Sequence, residues 1–170
     1  QPACDNFEAK TLDGCWNFIR TPRDGFYSLT ERPGHLRLRL RPQRLSEQSN
    51  PSFVGRRQRH INFAARTVMD FSPQSANECA GIVLLQKSDY HFRFVVTQVE
   101  GKGSIVRLIK RETGVETILA EQPIEPGRIY FKVEAVGQSY SFYIATASEA
   151  WQVVAQAVDG RILSTPVAGG

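Results

Sequence analysis

The chain has 170 residues, 41% of them hydrophobic and 22% charged, which is enough for one domain with a core that needs no disulfide staples. No apolar run approaches the ~20 residues of a membrane span, so no membrane partner is expected. The formal net charge is +4, and the basic residues crowd between positions 32 and 66, so a polyanion partner has to be weighed against a solvated surface.

In chain order, Asp5 and Asn6 come first as oxygen side chains that could serve a calcium ion. Two oxygens fall short of the six to eight that calcium takes, and a turn competes as the reading. Tyr27 and Leu29 precede a turn at Arg32-Pro33-Gly34, where proline presets φ and glycine accepts the corner. Beyond it Leu36, Leu38 and Leu40 alternate with Arg37, Arg39 and Arg41, which predicts a strand with one buried face and one solvated arginine face, ended by Pro42. Asn50-Pro51-Ser52-Phe53-Val54 reads as a loop. Where the chain resumes as a strand, Arg56 and Gln58 share one face and Arg57 takes the other.

From Ile61 the alternation through Phe63, Met69 and Phe71 predicts one long strand, broken by Ser72-Pro73-Gln74. Gly81-Ile82-Val83-Leu84-Leu85 is continuously apolar and is expected to be a central strand covered on both sides. Phe92, Phe94 and Val96 follow as a core-facing set; turns at Gly101-Lys102-Gly103 and Glu112-Thr113-Gly114 then predict a meander. Ile129, Phe131, Val133 and Ala135, then Tyr140, Phe142 and Ile144, predict a hairpin about Gly137, with Trp151 to Val154 as a further strand. Ten to thirteen strands, no internal repeat and no convincing helix start predict an all-β fold, a two-sheet antiparallel sandwich, as a single domain over residues 1–170.

Catalytic sets are poorly represented. Cys4, Cys15 and Cys79 are odd in number and lack metal-ligand spacing, so reduced thiols are expected, a Cys4–Cys15 bridge staying open. His35, His60 and His91 lie in or beside predicted strands, and Asp70, Glu78, Asp89 and Glu100 cannot be paired by spacing. Nucleic acid is not the expected partner, because aromatic platforms interleaved with cations are lacking in the basic stretch. Among the aromatics, Tyr130 and Tyr143 alternate outward and are candidate sugar platforms; packing is the competing reading for them and for Tyr90, Tyr140 and Trp151. The chain opens without a basic and apolar leader, and the compartment stays open.

Two long motifs, the stretch from Tyr27 to Leu40 and the stretch from Asn50 to Gln58, carry a resemblance, with Trp16-Asn17 and Cys79-Ala80-Gly81-Ile82 in the matching order. From about Asp5 onward the chain resembles the C-terminal concanavalin A-like jelly-roll domain of glycoside hydrolase family 43 β-xylosidases and α-L-arabinofuranosidases. That resemblance implies a non-catalytic accessory domain that packs on a catalytic β-propeller and helps form its xylo-oligosaccharide pocket, or an independent module that binds xylan. It implies that the catalytic carboxylates belong to the propeller and that the pattern continues past Gly169-Gly170 into at least one more strand; no cofactor is expected, the calcium reading of Asp5 and Asn6 staying open. Phe53 matches the aromatic of a loop that closes the sugar pocket, where an exposed phenyl packs on a sugar's C–H face and excludes water. A core position on its strand remains the alternative for Phe53. Arg56, Arg57 and Gln58 offer donors to sugar hydroxyls or to a propeller carboxylate, or are solvated surface. A polyanion-binding β domain, a small glycosidase and a homo-oligomer stay open.

Overall fold

The computed structural model describes residues 4–23 and 25–169. The chain forms two compact units, one ending at Arg59 and the other beginning at His60.

In the first unit the predicted hairpin forms, but it is short: β1 (Tyr27–Ser28) pairs antiparallel with β2 (Arg37–Leu38). Its turn is the one the sequence predicts, with the His35 amide donating to the Arg32 carbonyl and Gly34 at φ 74, a conformation that favours glycine. The expected buried leucine face is not there: Leu38 and Leu40 are 41% and 51% exposed, since β2 pairs with β1 over only two residues. An aromatic cluster organises this unit instead. Phe18, Phe26 and Tyr27 meet with ring centroids 5.5–5.9 Å apart, and Phe26 and Leu29 are buried.

The second unit is a two-sheet antiparallel sandwich, as the alternation predicts. Its strands are β3 (Phe63–Phe71), β4 (Cys79–Lys87), β5 (Tyr90–Val99), β6 (Gly103–Glu112), β7 (Val115–Pro123), β8 (Gly127–Val136), β9 (Ser139–Ala145) and β10 (Gln152–Asp159). One sheet runs β10-β9-β8-β3; the other is the predicted meander, β4-β5-β6-β7. Every second residue of the inner strands enters a shared core: Phe92, Phe94 and Val96 from β5 face Ile129, Phe131, Val133 and Phe142 from β8 and β9. Phe94 fastens the layers, edge-on to Phe131 at 5.0 Å and to Phe142 at 5.3 Å.

β4 departs from expectation. It is an edge strand among the described residues, not a central one, and its run of apolar residues is only half-buried. Gly81 is explained by close approach, since a Cβ there would lie 2.2 Å from the Phe94 carbonyl oxygen. β3 is the corresponding edge of the other sheet. A 3-10 turn (Arg161–Leu163) and α1 (Thr165–Ala168) follow β10, too short to carry a periodic signal in sequence.

Candidate functional site

The six candidate residues divide between the units, with Phe53, Arg56, Arg57 and Gln58 in the first and Tyr130 and Tyr143 in the second.

The loop at 50–55 is built by side chains rather than by a sheet. Arg41, read from sequence as part of a solvated face, is its anchor: its guanidinium lies 4.6 Å from the Phe26 ring centroid and donates to Ser52 Oγ at 3.0 Å and to the Asn50 backbone carbonyl. Ser52 in turn donates to the Arg39 carbonyl at 2.7 Å, and Asn50 Nδ2 donates to the Thr21 carbonyl at 3.0 Å. Arg37 and Arg39 do lie at the surface, sharing Glu31 at 3.2 and 3.1 Å. No spacing rule distinguishes Arg41 from those two, because what singles it out is an aromatic ring distant in sequence.

Phe53 is half-buried, neither fully exposed nor part of the core. Its amide donates back to the Pro51 carbonyl at 2.9 Å, and its ring folds over Gly55, where a Cβ would come within 2.6 Å of Phe53 Cζ. Gly55 and Asn17 exchange backbone hydrogen bonds of 2.7 and 2.9 Å. The two sequence motifs that hold Trp16-Asn17 and Phe53-Val54-Gly55 therefore meet in space.

Next along the chain, the Arg56 guanidinium lies 5.4 Å from the Trp16 ring centroid. Trp16 packs on Phe7 and donates its indole N–H to Asp5 Oδ2 at 2.7 Å, while Asp5 Oδ1 takes the Phe7 amide at 2.8 Å. The indole bond, then the Phe7 amide and the nearby Arg56 hold the Asp5 carboxyl below its usual range. Asp5 is thus occupied in orienting Trp16, and Asn6 accepts from the Cys4 thiol at 3.4 Å. No group of three or more His, Cys, Asp or Glu side chains assembles among the described residues. Arg57 and Gln58 are exposed.

On the outward face of the β10-β9-β8-β3 sheet, Lys132 sits opposite both Arg66 and Tyr143 in the strand register. Its ammonium lies 4.1 Å from the Tyr143 ring centroid and 5.0 Å from that of Trp151, and the residue is only 9% exposed. Arg66 reaches Glu149 at 3.0 Å, and Trp151 Nε1 donates to the same carboxylate at 3.2 Å. Tyr143 thus belongs to a cation-aromatic cluster in which Lys132, absent from the sequence-based candidates, is the central member. The signal in sequence was the alternation that sets Tyr130, Lys132 and Glu134 on one face, but cross-strand partners are not visible from alternation alone. Tyr130 lies apart, between Val68 and Ala145 in register.

The outward face of the other sheet carries ion pairs between Arg93 and Glu116 and between Arg107 and Glu121, each 2.6 Å, around a depression of about 290 Å³. His91 is buried at the same face, and its Nδ1 has no hydrogen-bond partner among the described residues. Burial, aided by Arg93 and Arg111, pushes its pKa below the usual histidine value, against a hydrogen bond with the Lys87 backbone. Asp70 is paired with Arg128, Asp89 with Arg111, and Glu78 caps the Gln74 amide, so three of the four acids left unpaired by sequence have structural partners.

Residues 4–170 match the family described as beta xylosidase C-terminal concanavalin A-like domain. The chain is 33% identical over its full length to a non-reducing end alpha-L-arabinofuranosidase of Bacteroides ovatus, of which it covers 32%. It is 34% identical over 96% of its length to a xylosidase/arabinosidase of Butyrivibrio fibrisolvens, covering 31% of that protein. Among solved structures, a Bacteroides ovatus xyloglucan-locus GH43B protein superposes with a TM-score of 0.93 at 30% identity, covering all of this chain and 33% of that one. The GH43 BlXynB protein of Bacillus licheniformis gives 0.91 at 28% identity over 96% of this chain. The chain spans about a third of the length of the curated relatives it matches.

Proposed function

The chain belongs to the family of β-xylosidase C-terminal concanavalin A-like domains, and from that premise we propose that it is the accessory part of a family 43 glycoside hydrolase. In this reading it packs on a catalytic propeller, contributes no catalytic carboxylate of its own and helps enclose a xylo-oligosaccharide through Phe53. The observation that carries the reading is the state of the loop: Phe53 is half-exposed, while the backbone beneath it is held by Arg41, Ser52 and Asn50. A loop backbone fixed in that way needs little reordering when a sugar or a neighbouring domain meets the ring it presents, which is what a pocket wall requires. Arg56 and Gln58, with Arg57 beside them, supply donors near the same loop, and Tyr130 and Tyr143 are secondary sugar contacts.

The test is made in an enzyme carrying both domains. Phe53→Ala is expected to lower kcat/KM for xylobiose by about tenfold or more, equivalent to ~1.4 kcal/mol or more of transition-state stabilisation. Unchanged kinetics would remove Phe53, and the pocket-closing role, from the reading. The 170-residue chain alone is expected to release no xylose or arabinose from aryl glycosides, and turnover abolished by one carboxylate substitution in it would overturn the accessory role.

A further inference from the structure

A crevice of about 690 Å³ opens at one end of the sandwich, where the chain leaving β3, the β5–β6 turn, the β7–β8 connection and the start of β10 come together. Its size falls in the ordinary range of small-ligand sites, ~300–1,000 Å³. It lies in the second unit and includes none of the residues discussed above as sugar contacts.

Three glutamines give it its character. Gln98 Oε1 accepts from Ser104 Oγ at 3.1 Å, Gln152 Oε1 accepts from Gln122 Nε2 at 2.8 Å, and Gln74 Nε2 donates to the Ser72 carbonyl at 3.0 Å. Each amide is therefore oriented by one of its two ends. The complementary ends, two NH₂ groups and one carbonyl oxygen, have no side-chain or backbone partner among the described residues. Pro123 and the half-buried Ile124 supply apolar surface in the same lining.

The charges of the lining select the class of ligand. Lys102 is 3.4 Å from Glu121, and Glu125 lies in the same crevice, so no surplus of positive charge favours an anion. An apolar ligand would strip water from three oriented amides and return no hydrogen bonds. A ligand with many hydroxyls satisfies both kinds of amide end, because each hydroxyl donates and accepts, and its C–H edges can rest on proline and isoleucine. We propose that this crevice binds an uncharged oligosaccharide chain, as a site separate from the Phe53 loop. The choice of xylan as the chain to test rests on the proposed function; the hydroxyl chemistry rests on the crevice alone.

Xylohexaose is titrated into the 170-residue chain and followed by ¹⁵N–¹H spectra. Saturable shifts are expected at the side-chain amides of Gln98 and Gln152 and at the backbone of Thr146, which lines the crevice just after β9. Gln98→Ala combined with Gln152→Ala is expected to weaken the binding read at the crevice at least about tenfold. Absence of saturable shifts at roughly millimolar ligand would overturn the site, as would shifts confined to residues outside the crevice. These are read in the unsubstituted chain, so they hold even if the double variant folds poorly. Binding abolished by Phe53→Ala alone would also overturn the crevice while supporting the loop, whereas a failed kinetic test of Phe53 with intact crevice shifts would do the reverse.

Discussion

In the second unit eight strands lie in two sheets over a core of interlocked rings, whereas among the described residues of the first unit the strands are two residues long and the chain is held by individual side chains such as Arg41, Asn50 and Asp5. A ladder distributes its stabilisation over many equivalent backbone bonds, so single changes matter mainly where they open a cavity. A loop tied by a few charged or amide groups concentrates its stabilisation in those groups, and one substitution can release a whole segment. The first arrangement suits a scaffold and the second a surface whose shape must be specific at one place.

Substitutions break or sharpen that contrast in order of size. Phe142→Ala removes a fully buried ring that touches both Phe92 and Phe94 and is expected to cost about 3–5 kcal/mol in urea unfolding of the second unit. Arg41→Ala removes the cation over Phe26 and the bonds to Ser52 and Asn50. It is expected to cost about 1–3 kcal/mol and to make the chain around Ser52 the first site of limited proteolysis; a protease pattern identical to the parent would show that the loop has other anchors.

Gly55→Ala sets the contrast differently, because its new Cβ meets the far end of the Phe53 ring, which can swing aside. Stability is expected to change by less than about 1 kcal/mol, with kcat/KM in the two-domain enzyme falling as it does for Phe53→Ala. The smallest effect is expected at His91. Its folded pKa lies below the unfolded value of about 6.5, so between the two the unfolded chain binds more protons and stability falls as the pH is lowered. Denaturation midpoints should decline from pH 7 to 5.5, and His91→Leu should flatten that decline; an equal slope in the variant would assign the pH dependence to other groups.

The same contrast decides what the sequence discloses. Phe92, Phe94 and Val96, or Phe131 and Val133, declare their strand and its inner face because a two-residue period has a direct meaning in a half-buried sheet. Periodicity reports on faces and not on edges, so the apolar run of β4 predicts burial above and below while its missing neighbour stays invisible. It also fails where pairing stops early, as at Leu38 and Leu40, which alternate correctly over a strand that is only two residues long. Phe53 and Gly55 were legible as a motif, but the reason for the glycine, a ring folded onto it, needs the third dimension. The roles of Arg41, Lys132 and the crevice glutamines carry no periodic signal, because they depend on partners brought in from elsewhere in the chain.

Strand β3 precedes the whole meander yet pairs with β8 after it, Phe71 opposite Gly127, so this one ladder closes a loop around all four strands of the other sheet. The hairpins of the meander, and those joining β8, β9 and β10, need only short chain closures, whereas β3, in pairing with β8, closes the longest loop of the sandwich. Its amides would then gain protection last during refolding, after those of β5 and β6, and the rate of that final step would set how long a newly made chain remains open to association through an unpaired β3.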